Sequence, residues 1–314
     1  MKRLKILAWH QHGAYLNSLL QVDHDWYLPV KPGFPHGYAG RGWSFDVAEY
    51  VHEVPAEQVR DLPLDLVVYQ SPENWNDDAA EILSLAQQRL PKIYIEHNTP
   101  RPHPTDSRHF IDDPNVLLVH VTHYNRLMWD NGRTPTVVIE HSVALDPTIT
   151  YQGYIERGIT VINDLPRRQR IAGFDLFLQA RDQVPLDAAG MRTEEFGGLG
   201  EFAYRDLHRL VAERRFLFSP MRYTSLPLAV IEALTIGMPV VALATTELPL
   251  VIENGRTGFV SCDLDELIER MRFLLRCPAE ARRIGANARE LAHERFGLDR
   301  FRRDWNAAFA RVTS

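Results

Sequence analysis

A chain of 314 residues is longer than one core usually fills and fits two domains of about 150 residues each. Its 45% hydrophobic and 24% charged residues are those of an ordinary soluble globular protein, which sets aside disorder and fibrous repeats. The net charge of -6 provides no overall basic surface for phosphates, so no nucleic-acid partner is expected, although local basic patches stay open.

Two cysteines, Cys262 and Cys277, build neither a disulfide framework nor a metal knuckle, and a reducing cytoplasm is the simplest compartment. The apolar run 4–9 behind Met1, Lys2 and Arg3 is shorter than the roughly 7–15 residues of a signal-peptide core. It reads as a first buried strand. No stretch of about 18 apolar residues occurs, so no bilayer span is expected, and peripheral contact at the inner face of a membrane stays open.

The N-terminal half alternates short apolar runs with polar or helical stretches, the pattern of a parallel sheet covered by helices. Strands are expected at 4–9, 26–30, 66–70, 92–96, 116–121 and 136–140. Helices are expected at 77–90, with Asp77 and Asp78 at its positive end, and at 124–131, closed by Gly132. Residues 31–43, rich in Gly, Pro and aromatics, interrupt the rhythm as a loop that could form a binding lip.

Periodicity lapses over 144–153, around Pro147, which marks an interdomain linker. A second alternating series follows, with strands expected at 158–163, 193–197, 216–219 and 239–243. Its helices are expected at 172–181, 204–213, 228–236, 264–276 and 279–295. Residues 299–310 place Phe301, Trp305 and Phe309 at four-residue spacing, and these aromatics need a surface to cover.

The segment 216–260, FLFSPMRYTSLPLAVIEALTIGMPVVALATTELPLVIENGRTGFV, resembles the donor-site region of the retaining GT-B glycosyltransferases (glycosyltransferase family 4, glycosyl transferases group 1 type). In that family a strand ends in a Pro-Ser pair and a loop carries Glu-Gly-Phe-Gly. A second glutamate follows eight positions after the first, and then Gly-x-Pro-Val-Val. Pro220, Tyr223, Glu232, Ala233, Gly237, Pro239, Val240 and Val241 fall into this register, and Asn254, Gly255 and Gly258 match the downstream turn and strand. More weakly, Ala172 to Leu176 looks like the Lys-Gly-x-Asp-x-Leu helix start. The tail from Phe296 resembles a final helix that crosses back, residues 93–97 resemble a strand ending in a sugar-facing histidine, and Gly13 sits at the first glycine-containing loop.

The resemblance implies an α/β chain of GT-B type, with two Rossmann-like doubly wound domains facing a cleft. Residues 1–147 would form an acceptor-side domain, 154–296 a nucleotide-sugar donor domain, and 297–314 a C-terminal helix packing back on the first. It assigns Glu232 to the ribose, because a carboxylate accepts hydrogen bonds from two vicinal hydroxyls; an isolated helical glutamate would instead read as a solvated side chain. Thr224, Ser225 and Leu226 precede the same helix, whose positive end suits a diphosphate.

Thr224 replaces the family's first glutamate, Ser225 and Pro227 replace its glycines, and Asp164 and Ala172 stand where its phosphate-binding arginine and lysine would be. Arg167, Arg168 and Arg170, on an expected loop before the first donor-domain helix, are candidates to compensate by clamping phosphate oxygens, with Arg222 beside the donor loop. A solvated charge run is the alternative.

His97 closes a strand at the carboxyl edge of its sheet, where open α/β sheets place ligands, and is expected with Thr224 to contact the donor sugar. His10 and His12 are candidates for acceptor contact. His103, His109, His120 and His123 have no metal-ligand spacing, and no catalytic metal is expected. No Gly-x-Gly-x-x-Gly fingerprint calls for a nicotinamide cofactor.

The expected activity is transfer of a sugar from a nucleoside diphosphate sugar, UDP or GDP first, to an acceptor hydroxyl with retention, in bacterial glycan or glycolipid synthesis. The acceptor would be a saccharide, a lipid-linked molecule or a small molecule. The alternative is a non-catalytic GT-B protein that binds a nucleotide sugar or a partner transferase, which the loss of the first glutamate favours. An epimerase or phosphorylase on the same fold finds no motif.

Overall fold

The computed structural model describes residues 3–42 and 48–314. Trp43, the last residue of the expected loop 31–43, lies outside the described residues. The chain divides into two compact units, Met1–Ala144 with Leu298–Ser314, and Leu145–Gly297.

In the first unit, β1 (Lys5–Ala8) leads into helix α1 (Gly13–Leu19), then β2 (Asp25–Val30), β3 (Val51–Pro55) and β4 (Leu66–Tyr69). A short helix α2 (Ala79–Ile82), strands β5 (Lys92–Glu96) and β6 (Val116–His120), helix α3 (His123–Met128) and strand β7 (Thr136–Val138) complete the series. Among the described residues these strands form one parallel sheet in the order β3-β2-β1-β4-β5-β6-β7. β1, β4, β5 and β6 are buried along nearly their whole length, as a parallel sheet covered on both faces requires.

Strand β3 was not expected; Val51 and Val54 point inward at a spacing too irregular to signal a strand. The expected helix 77–90 is broken into a π-turn at Asn74–Asp78, α2, and a 3-10 turn at Gln87–Arg89. The cause is local. Ser84 Oγ accepts the Gln87 N–H at 3.3 Å while Gln87 Oε1 accepts the Ser84 N–H at 2.9 Å, a capping box that restarts the chain inside an apparently continuous period.

In the second unit, β8 (Ile155–Val161) is followed by α4 (Leu165–Ala172), α5 (Phe174–Arg181), β9 (Leu186–Ala189), α6 (Tyr204–Glu213) and β10 (Arg214–Ser219). Then come α7 (Leu228–Ile236), β11 (Val240–Leu243), β12 (Gly258–Ser261), α8 (Leu264–Arg276) and α9 (Pro278–Phe296). The parallel sheet runs β12-β11-β10-β8-β9. Its core joins Phe177, Phe216, Phe218, Val241, Leu267 and Met271.

The strand expected at 193–197 is a 3-10 turn, Thr193–Phe196, and the paired strand is β9. Thr193 Oγ1 donates to Gly190 O and accepts from Gly200 N, both at 2.9 Å, so its side chain folds the segment into a loop.

Helix α10 (Leu298–Thr313) belongs to the first unit. Phe301 meets Tyr15 edge to face at 5.9 Å between ring centroids, and Phe309 meets Trp26 at 6.0 Å and His24 at 5.2 Å. The aromatic spacing at the chain's end thus covers the α1 and β2 side of the first sheet. Among the described residues no helix is long and apolar enough to cross a membrane.

Candidate functional site

The donor-type segment of the second unit lies at the carboxyl end of β10. That strand ends at Ser219, and Pro220 carries the chain into a loop whose position is fixed by Gly173. Gly173 has φ +78°, and a Cβ there would overlap the Pro220 carbonyl oxygen, so only glycine lets α5 start against this loop. The sequence match at Gly173 therefore has a steric reason.

From Pro220 to α7 the loop is tied down by side chains. Thr245 Oγ1 donates to Met221 O at 3.0 Å and Thr246 Oγ1 to Ser225 O at 3.2 Å, both from the turn after β11. Ser225 and Leu226 are buried, and Thr224 is half-buried. Helix α7 begins after Pro227, and neither a side-chain cap nor an acidic residue in its first turn offsets the positive end of its dipole.

Glu232 is the sole ionisable residue of α7 and is 7% exposed. Tyr204 Oη donates to its Oε1 at 2.9 Å, and His208 Nε2 stands 3.3 Å from its Oε2. Burial, and then the Glu232 charge, push the Tyr204 phenol well above its usual pKa, so it stays a proton donor. Sequence reasoning missed Tyr204 and His208. Their one signal was four-residue spacing in a helical stretch, with His208 on the face that also buries Val211 and Ala212.

The arginines occupy a different setting from the one expected. Arg167, Arg168 and Arg170 lie on α4 and not on a loop, and that helix is broken at Gln169, whose φ is +44°. Arg167 reaches Asp164 at 2.9 Å and Arg170 reaches Asp175 at 3.0 Å. Arg222 grips Asp175 with both arms and also donates to Arg170 O at 2.9 Å. Those Arg222 hydrogen bonds hold the Asp175 carboxyl below its ordinary pKa. The exposed pairs of Arg167 and Arg170 are weak and exchangeable, whereas Arg222 is a structural tie.

In the first unit His97 follows β5 at the carboxyl edge of the sheet. Gln70 Nε2 donates to Trp9 O at 3.1 Å, which leaves Gln70 Oε1 as the acceptor for His97 Nε2 at 3.2 Å. The His97 ring lies 4.4 Å from that of His12 and 4.6 Å from that of Tyr15. Burial, with His12 and His141 nearby, lowers its pKa well below the usual value, so the imidazole is neutral at neutral pH.

His12 adopts a left-handed conformation before α1, and Gly13 is that helix's first residue. His10 Nδ1 hydrogen-bonds Gly40 O at 2.8 Å and its main-chain N–H donates to Gly37 O, so His10 braces the loop beyond β2. His109 pairs with Glu96 and His120 with Asn131, in separate contacts. Among the described residues no three His, Cys, Asp or Glu side chains group as metal ligands.

Residues 194–291 match the family model "Glycosyl transferases group 1". Trehalose synthase of Pyrococcus horikoshii is 35% identical over 69 residues, which make up 22% of this chain and 17% of that protein. Among solved structures, sucrose-phosphate synthase of Thermosynechococcus elongatus superposes with a TM-score of 0.71 at 14% identity over 99% of each chain. Anabaena HepE in complex with UDP gives 0.72 at 14% identity, over 99% of this chain and all of that one. Residues 194–291 are thus similar to the glycosyl transferases group 1 family, and the fold that carries them is of the GT-B type.

Proposed function

We propose that the protein transfers a glycosyl group from a nucleoside diphosphate sugar to an acceptor hydroxyl with retention of anomeric configuration and without a metal ion. The observation that carries this reading is Glu232, a buried carboxylate alone in an apolar helix, next to an uncapped helix N-terminus. A carboxyl group is kept buried in such a place at a cost, and a ribose diol and a diphosphate are the chemistry the two features accept.

In this reading Glu232 binds the ribose hydroxyls. Ser225 and Leu226 present main-chain N–H groups to the diphosphate, and the Thr224 hydroxyl hydrogen-bonds the sugar. Arg167, Arg168 and Arg170 supply positive charge to the leaving diphosphate, which is the main catalytic contribution. Arg222 supports the same loop. His97, as a neutral hydrogen-bond donor or acceptor, and Gly13 are assigned to the sugar, and His10 and His12 to the acceptor.

UDP is the first nucleotide to test, since HepE was solved with UDP and with UDP-glucose. A saccharide, lipid-linked or small hydroxyl compound is the acceptor class, which fits glycan or glycolipid synthesis at the cytoplasmic face of a bacterial membrane. Thr224 in the place of a carboxylate favours a second reading, a nucleotide-sugar-binding protein without turnover.

The test is calorimetric titration with UDP, GDP, ADP and TDP, with and without magnesium, on wild type, Glu232→Ala and the triple alanine variant of Arg167, Arg168 and Arg170. Binding of one nucleotide, weakened in both variants, is the expected result. Product analysis with the matching sugar nucleotides then separates transfer from binding alone, and no binding of any nucleotide would sink the proposal.

A further inference from the structure

Both contacts to the Glu232 carboxylate come from one helix. Tyr204 and His208 stand four residues apart on α6 and so share a face, and their rings meet edge to face at 4.3 Å between centroids. Each therefore limits the other's rotamers. Tyr204 Oη donates to Oε1 at 2.9 Å. His208 Nε2, a buried atom that makes no hydrogen bond of good geometry, faces Oε2 at ion-pair distance, 3.3 Å.

A carboxylate offers about four lone-pair positions on its two oxygens. With one α6 contact on each oxygen, each keeps a second lone pair. The carboxyl group is thereby held as a two-oxygen acceptor whose spacing suits two adjacent hydroxyls. A glutamate free to rotate would lose side-chain entropy on binding such a diol, and the α6 pair removes that cost in advance.

We infer that Tyr204 and His208 are positioning residues that hold Glu232 in one orientation for the 2′- and 3′-hydroxyls of the donor's ribose, and so make binding selective for a ribonucleotide. The inference rests on the proposed ribose role of Glu232. Neither residue need touch the ligand, because both act through the carboxylate. The packing of α6 on α7 is thus part of the recognition of the sugar half of the nucleotide.

The experiment compares UDP and GDP with their 2′,3′-dideoxy analogues, titrated calorimetrically into the full chain, Tyr204→Phe, His208→Gln and Glu232→Gln. Wild type is expected to prefer the ribonucleotide, and Glu232→Gln to lose that preference. Tyr204→Phe keeps the ring and removes only the hydroxyl. It is expected to weaken ribonucleotide binding about tenfold, the effect of losing one hydrogen bond to a charged group. His208→Gln should act in the same direction.

Binding of the dideoxy analogue, which cannot use the carboxylate, should stay within about twofold in Tyr204→Phe and so serves as the folding control. Equal weakening of both ligands would mean a merely structural role and overturn the inference. Unchanged ribonucleotide affinity in Tyr204→Phe, with Glu232→Gln still losing its preference, would overturn the inference and leave the ribose role of Glu232 standing. A preference that survives in Glu232→Gln, or no binding by wild type, would overturn both.

Discussion

Arg222 holds Asp175 through two parallel hydrogen bonds, Nη1 to Oδ1 at 2.6 Å and Nη2 to Oδ2 at 2.8 Å, and so joins the loop after β10 to the first turn of α5. A forked guanidinium and a planar carboxylate match in this way only when both backbones are fixed. The pair is about two-thirds buried, so its worth exceeds that of a surface ion pair but stays modest. Asp175→Asn is expected to cost about 1–2 kcal/mol at neutral pH. Because the folded-state pKa of Asp175 lies below the unfolded one, this stabilisation is complete above the unfolded value of about 4 and disappears as the pH falls through the folded value. Urea denaturation of wild type and variant at pH 7 and in acid checks the sign. A gap of the same size at both pH values would show that the charge is not its origin.

Gly173 makes the second contact of that loop, by lacking a side chain. Gly173→Ala faces a left-handed backbone and an overlap with the Pro220 carbonyl, and is expected to destabilise the second unit by about 2–4 kcal/mol. Gly197 has a similar φ of +81° but open space where a side chain would stand, so Gly197→Ala should cost only about 1 kcal/mol. Thermal melts of the two variants separate backbone strain from steric overlap, and equal losses would contradict the Pro220 contact.

Why the sequence revealed Glu232 but not its clamp follows from where each signal resides. Glu232 stood out only through the family register of 216–260, since an isolated helical glutamate reads as a solvated side chain. The Tyr204 and His208 contacts depend on how α6 packs against α7, which four-residue spacing does not encode. The arginines of 167–170 were legible as charge, but their helix was not, because Asp164 before it and Gln169 within it have positive φ, which a regular helical pattern does not announce. Ser84 and Gln87 broke an expected helix because reciprocal caps can sit inside a regular apolar period. The alternation of strand and helix, and the aromatic period of α10, were readable because buried parallel strands and an amphipathic helix leave repeating patterns.

His120 and His141 make the first unit sensitive to acid. Both are buried, and burial first of all lowers their pKa values, to about 4 for His120 and about 3 for His141. An unfolded histidine titrates near 6.5, so below that pH the unfolded chain binds more protons and the native state loses ground. Stability should be flat above about pH 6.5 and fall steadily towards pH 4, by up to about 3 kcal/mol for His120 alone. All six tryptophans lie in the residues of the first unit, so their fluorescence follows its unfolding separately. His120→Gln should flatten part of the slope between pH 6.5 and 4, and an unchanged slope would remove His120 as a cause.

Thr224 is the position on which catalysis and mere binding diverge. Its side chain is half-buried in the loop before α7, beside the main-chain groups proposed for the diphosphate. In the proposed reaction a hydroxyl there would hydrogen-bond the transferring sugar but bring no charge to an electron-poor anomeric carbon, so the burden of catalysis would shift to the leaving group. Thr224→Ala is therefore expected to lower kcat about tenfold or more while the nucleotide Kd stays within about twofold, because the lost contact is to the sugar and not to the nucleotide. Thr224→Ser keeps the hydroxyl and should keep kcat within about threefold of wild type. Steady-state kinetics with the donor identified by calorimetry, run beside nucleotide titrations of the same variants, measure both quantities. A Thr224→Ala enzyme with unchanged kcat would show that the hydroxyl takes no part in transfer, and a parallel loss of nucleotide affinity would assign it to the diphosphate instead of the sugar.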